Sequence, residues 1–188
     1  AKRHQCNPAD LPVLLNAYRA QLADLQSSAD QTALAQKVRT CEAAFIQKSN
    51  EISALRHKAR HKLATEITVC MQQLGMPGGQ FDVKLTPLDV PQSFGLETIE
   101  FMVAGHAGVA PRPVAKVASG GELSRISLAI AVTTSQLGGC PTLIFDEVDS
   151  GVGGAVAHTV GQLMAQLGHT RQVLAVTHLP QVAARARH

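Results

Sequence analysis

Three short runs in this 188-residue chain carry side chains suited to chemistry on a phosphate. The first is Ser119-Gly120-Gly121-Glu122-Leu123-Ser124-Arg125. The second is Asp146-Glu147, at the end of the apolar run Thr142-Leu143-Ile144-Phe145. The third is Thr177-His178, closing Val173-Leu174-Ala175-Val176. Ser119 to Glu122 reads as an S-x-x-E capping box that starts a helix. Two glycines in that first turn also leave backbone N–H groups open to an anion, which the helix dipole favours and the Ser119 hydroxyl can contact. Arg125 is set to pair with Glu122 or with a partner surface, and Leu123, Ile126 and Ile130 supply a buried stripe.

Two acids directly after a buried strand would be costly without a role, and ligands bind at strand carboxyl ends in open α/β sheets. Asp146 suits a magnesium ion held through water, and Glu147 suits a general base that polarises an attacking water. A solvated turn opening Asp-Glu is the plainer alternative. Asp149-Ser150-Gly151-Val152-Gly153-Gly154 reads either as a turn or as a loop that closely approaches another subunit. His178 is either structural or a contact for a terminal phosphate beside Asp146 and Glu147. No G-x-x-x-x-G-K-[ST] phosphate loop occurs in the sequence, so these parts amount to half of a nucleotide-cleaving site.

The elements that must position these residues follow from periodicity. Residues 1–74 read as a helical coiled-coil arm in two pieces. Asn7-Pro8-Ala9-Asp10 opens the first, whose face carries Leu11, Leu14, Leu15, Tyr18, Leu22 and Leu25; Ser27-Ser28-Ala29-Asp30 breaks it. The second has Leu34, Val38, Cys41, Phe45, Ile52 and Leu55 near heptad spacing. From Leu55 the seam steps by four through Ala59 and Leu63, a stutter that marks entry into a globular body. Gly75 suits the left-handed position past the helix end, with Pro77 beyond. Residues 75–188 then read as one lobe. Phe81, Val83 and Leu85 alternate with polar residues and pair antiparallel with a strand over 98–103. From Ser119 the order helix, strand, helix, strand, helix predicts an α/β half-domain with a parallel core, the two apolar strands buried.

Composition bounds the partners. Hydrophobic residues make up 45% and aromatics 3%, which supports a core but argues against stacking platforms for single-stranded nucleic acid. Residues 1–62 carry ten Lys/Arg against five Asp/Glu, and the remainder seven against nine. The basic half fits either DNA phosphates or a solvated helical face. Cys6, Cys41, Cys70 and Cys140 have no C-x-x-C spacing and read as reduced thiols; His57 and His61, among Arg56, Lys58, Arg60 and Lys62, read as a solvated face. No uninterrupted apolar run of 18 residues occurs. The absence of an initiating Met and the end at His188 suggest a piece of a longer chain.

Lys116-Val117-Ala118-Ser119-Gly120-Gly121-Glu122-Leu123-Ser124-Arg125 resembles the signature motif of ABC-type ATPases of the SMC-like group, especially their bacterial DNA-repair branch. The run from Leu143 to Gly154 resembles their Walker B strand and D-loop. Val176-Thr177-His178-Leu179-Pro180-Gln181-Val182-Ala183-Ala184 resembles their switch-histidine segment. The resemblance covers nearly the whole chain, including Ala1-Lys2-Arg3-His4, which is similar to the outer end of a returning arm. It implies the C-terminal half of an ABC-type ATPase head, and a cytoplasmic, nucleoid-associated ATPase acting on DNA in double-strand-break repair. Its partners would be its own N-terminal half (carrying the Walker A lysine), a second copy as a head-to-head homodimer, and DNA. ATP and Mg²⁺ would be its cofactors. By the same resemblance Ser119, Gly120, Gly121 and Glu122 belong to the surface that meets ATP on the opposite head, Asp149 lines the dimer interface, Asp146 holds the metal, and Glu147 and His178 are catalytic. Ala104-Gly105-His106-Ala107-Gly108 departs from the family pattern, with His106 a surface substitution. Another SMC-like or transporter-type ATPase, or a non-catalytic coiled-coil module, are the alternatives. The long arm and the Leu-Pro-Gln-Val-Ala-Ala wording argue against a transporter. Alone, the chain should be inactive.

Overall fold

The computed structural model describes residues 7–29, 31–117, 119–137 and 140–186. Ala1-Lys2-Arg3-His4, Cys6, Asp30 in the expected helix break and Ala118 in the signature run lie outside them. The chain divides into two compact units, residues 1–51 and 52–188.

In the first unit, Asn7 caps a short 3-10 turn, its side chain accepting from the Ala9 N–H at 3.2 Å. Helix α1 (Leu11–Ala29) follows directly, and α2 (Gln31–Gln73) begins there and runs on into the second unit. The apolar positions of this unit stay exposed: Leu22, Leu25, Leu34, Val38 and Phe45 all lie open. Such a seam has helical spacing but no core of its own.

The second unit begins within α2, at Ile52. The reason is the four-residue step of the seam, which delivers Ile67, Cys70, Met71 and Leu74 into the main core. The helix ends in a Schellman motif. Gly75 takes φ +80, its N–H points to Gln72 O at 3.4 Å, and the Met76 N–H donates to Met71 O at 3.3 Å. Met71 and Met76 are both fully buried, the apolar contact that completes such a cap.

Strands β1 (Gln80–Gln92) and β2 (Gly95–Ala104) pair antiparallel, with Phe81 opposite Val103, Val83 opposite Phe101 and Leu85 opposite Ile99. All six therefore share one face, and the Phe81 and Phe101 rings stand 5.4 Å apart. A two-residue strand β3 (Arg112–Pro113), with no signal in the sequence, adds to β2. Glu97, buried on β2, accepts from Ser53 Oγ at 2.6 Å and from Arg56 Nη1 at 3.4 Å, while Arg56 Nη2 donates to Phe94 O at 2.9 Å. This fastens the hairpin to the start of the second unit's share of α2, and it commits Arg56 to the fold.

The rest alternates as expected: α3 (Gly120–Thr133), β4 (Thr142–Phe145), α4 (Gly154–Leu167), β5 (Gln172–Ala175) and α5 (Pro180–Ala183). Strands β4 and β5 are parallel, Leu143 opposite Val173 and Phe145 opposite Ala175. The expectation that both strands are buried needs correction. Phe145 is buried and Leu143 and Val173 pack on the core, yet Ile144, Leu174 and Val176 are exposed. Only one face of this two-stranded sheet is covered among the described residues. The stripe on α3 also differs. Leu123 is exposed, and the buried positions are Gly121, Arg125, Ile126, Leu128 and Ala129. The inward arc of the helix thus passes through a glycine and an arginine that a search for apolar periodicity skips.

Candidate functional site

Ser119 is the N-cap of α3, with extended backbone and its hydroxyl oxygen accepting from the Glu122 N–H at 3.3 Å. The capping reading therefore holds. The Glu122 carboxylate lies 3.6 Å from His106 Nε2, so the signature glutamate faces the turn after β2. His106 itself is exposed, as expected.

Asp146 and Glu147 follow β4 directly and both are exposed. Glu147 has φ 56, the only non-glycine residue at positive φ among those described. Its side chain reaches back over the start of α3, where a Cβ placed on Gly120 would collide with Glu147 Oε2. A carboxylate beside the positive end of a helix is electrostatically favoured. The strand-end acid and the signature glycine are thereby brought together within one chain.

Beyond Glu147 the chain turns, Ser150 N–H donating to Glu147 O at 3.0 Å. This turn packs on α3 at Gly121, where a Cβ would meet Ser150 Cβ at 3.0 Å and Ser150 O at 3.2 Å. No other residue fits there without moving the turn. At Gly121 the close neighbours include the Cβ and backbone oxygen of Ser150, whereas at Gly120 the neighbour is the end of the Glu147 side chain, which can swing away.

Asp149 is almost fully buried and its carboxylate is directed inward. Oδ2 accepts from the Thr177 hydroxyl, from the His178 N–H at 3.1 Å and from the Leu179 N–H at 3.3 Å, and it lies 3.5 Å from His178 Nδ1. The outward part of the turn is Ser150 and Gly151, which leaves those residues, rather than the Asp149 carboxylate, facing solvent. Asp149 instead holds the segment after β5, and Nδ1 of the exposed His178 ring is the nitrogen turned toward it.

Burial pushes the Asp149 carboxyl upward, but the Thr177 hydroxyl, the His178 N–H and the His178 ring outweigh this and hold it below the ordinary carboxylate value. A depressed carboxyl stabilises the fold above its unfolded pKa and loses that contribution as pH falls through its folded one. Asp149→Asn can still offer one amide oxygen to Thr177, His178 and Leu179 but loses the negative charge that strengthens these bonds, so it should cost about 1–3 kcal/mol near neutral pH. Thermal denaturation across an acid series should show that deficit shrinking as the parent Asp149 protonates. A deficit independent of pH would contradict this account.

Arg125 is the residue that the sequence places wrongly. It pairs with no carboxylate among the described residues. Instead it is buried, and Nη1 donates to Ser150 O at 2.7 Å and approaches Val148 O at 3.5 Å. A glycine one turn before it, making room for the guanidinium, is the signal that could have revealed this.

The cysteines at 41, 70 and 140 are free thiols, and no group of three His, Cys, Asp or Glu side chains placed to hold a metal occurs among the described residues. No helix there is long and apolar enough to cross a membrane.

No protein-family model matches the chain. Among curated proteins it is 41% identical over 188 residues to DNA repair protein RecN of Xylella fastidiosa Temecula1, covering 98% of this chain and 34% of that one. It is likewise 41% identical over 191 residues to DNA repair protein RecN of Haemophilus influenzae, covering 100% and 34%. The chain is RecN-like along its whole length. It spans about a third of the length of the RecN relatives it matches. The fold of this RecN-like chain is similar to the crystal structure of the Smc head domain with a coiled coil and joint from Pyrococcus yayanosii, with a TM-score of 0.58 and 21% identity, covering 97% of this chain and 34% of that one. At that identity the likeness speaks for the fold: a lobe of an SMC-type head with a helical arm.

Proposed function

We propose that this RecN-like chain is the C-terminal portion of an SMC-like ATPase that acts on DNA in double-strand-break repair and recombination, cytoplasmic and associated with the nucleoid. ATP held between two heads would draw them together, and hydrolysis would release them. The observation that carries this reading is the convergence, within one chain, of the open α3 end, the strand-end pair Asp146 and Glu147, and the turn linking them to His178. The RecN relatives support the DNA-repair assignment.

In this reading residues 1–74 form the arm and residues 75–188 the working lobe. Ser119, Gly120 and Gly121 present backbone N–H groups to a phosphate held by a second copy, and Glu122 keeps the helix start in place from the His106 side. Asp149 braces the turn between Glu147 and the partner-facing residues Ser150 and Gly151. Glu147 takes the proton of the attacking water, and His178 sits at the terminal phosphate with its ring set by Asp149. Asp146 offers hard oxygen donors at a strand end, which suits magnesium. Phosphate oxygens and water would fill remaining positions, as is usual for that ion. Bound there, magnesium would supply charge neutralisation for the phosphates.

The Glu147 carboxylate lies where a phosphate would approach Gly120, so the two anions compete for one helix end. Arrival of the partner's phosphate would release Glu147 toward the nucleotide on its own head.

The missing phosphate-loop lysine makes the test direct. Coexpression with an N-terminal half bearing a Walker A loop should yield a complex with magnesium-dependent ATP hydrolysis, measured by phosphate release. A folded, monodisperse complex that stayed inactive would sink the proposal.

A further inference from the structure

Arg125 carries a role that the signature motif does not explain. It is 7% exposed, a charged guanidinium taken out of water without a carboxylate partner among the described residues. Burial lowers its pKa, with Glu122 pulling the other way. Its Nε is buried without a hydrogen-bond partner among those residues. A purely structural position could be filled more cheaply by a hydrophobic residue of similar volume.

Its partners are informative. The carbonyls of Val148 and Ser150 flank Asp149, so Arg125 grips the turn on both sides of the residue that holds Thr177, His178 and Leu179. The same turn closes on Glu147 through the Ser150 N–H. A Cβ added at Gly121, in the first turn of α3, would lie 3.2 Å from Arg125 Nη1 and 3.0 Å from Ser150 Cβ, so the guanidinium and the turn both pack close over this glycine. The first turn of α3, Arg125 and the 147–150 turn therefore lie side by side, and hydrogen bonds carry the turn on to Glu147 and to the His178 backbone.

We propose that Arg125 is a positioning residue that clamps the 148–150 turn to α3, so that occupation of the helix end by a second molecule's phosphate is transmitted to Glu147 and His178. This rests on the ATPase reading above. A hydrophobic residue would pack in the same volume but could not grip two carbonyls, which explains why a charge is kept in the inward arc of the helix.

Two substitutions and two readouts test it. In the complex with the Walker A half, Arg125→Met should lower kcat about tenfold or more while KM for ATP moves less than about twofold. Arg125→Lys, with one ammonium able to reach Ser150 O, should recover much of the loss. A merely structural role predicts a lower Tm with unchanged kcat per folded molecule, and that outcome overturns the proposal. Failure of the parent complex to hydrolyse ATP would instead strike at the ATPase reading. The clamp would then be decided on this 188-residue chain by amide hydrogen exchange. Arg125→Met, or Arg125→Ala if the Met variant does not fold, should speed exchange at 147–151 and 177–179 together and spare the β1–β2 pair, with Arg125→Lys closer to the parent. Unchanged exchange at 177–179, or uniform loosening of the whole chain, would overturn the clamp.

Discussion

Glu147→Gln, placed in the assembled head, should bind ATP and fail to turn it over. A positioned general base is worth roughly 10²–10⁴-fold in rate, and the amide keeps the size of the side chain while losing its basicity. Binding draws on other residues, so the nucleotide should persist and hold two heads together as an ATP-dependent dimer on size-exclusion chromatography. The structure adds a second expectation. The neutral amide is held less firmly over the start of α3 than the carboxylate that lies there now, so phosphate should meet less competition at Gly120. The variant dimer should thus form at lower ATP concentration than the parent dimer. Unchanged turnover would remove Glu147 from the chemistry. Lost turnover with no stable dimer would remove the competition between the two anions.

Ser119→Arg should abolish that dimer while leaving ATP on the monomeric complex. The change places a bulky cation at the positive end of α3, in the path of the approaching phosphate, and it deletes a cap whose oxygen accepts from Glu122 N–H. Loss of the cap alone costs about 1 kcal/mol, so Ser119→Ala is the matched control for stability. The alanine variant should dimerise and the arginine variant should not, at similar Tm. Dimerisation of Ser119→Arg at parental ATP concentrations would show that this helix end does not face the second molecule.

Much of the framework is legible in the sequence because its signals are local or periodic. The Schellman end at Gly75, the cap at Ser119 and the register face of Phe81, Val83 and Leu85 each follow from a few residues with strong preferences. The signature, strand-end and switch runs are legible as motifs, and the fold places the first two side by side at Gly120 and Glu147. What escapes is the use made of polar groups. An arginine or aspartate reads alike whether it is solvated or turned inward against backbone, so the sequence leaves Arg125 between Glu122 and a partner surface and Asp149 between a plain turn and an interface, and does not show that both side chains bond within their own chain. Burial of a strand depends on what covers it, and the run of Ile144, Leu174 and Val176 says nothing about how many layers this chain supplies. The two-residue β3 is too short to leave a pattern.

Position 147 shows how folding and work can make opposite demands on one residue. Its φ of 56 lies where a side chain costs roughly 1–2 kcal/mol and glycine costs least. Drift toward a more robust fold would therefore favour glycine or asparagine there, and every such step would discard the carboxylate. Glutamate at this position is a small debt of stability carried by the whole lobe, and the proposed work of its carboxylate at a phosphate would repay it. Under the proposed ATPase function, a lineage that stopped hydrolysing nucleotide would gain stability by losing this glutamate.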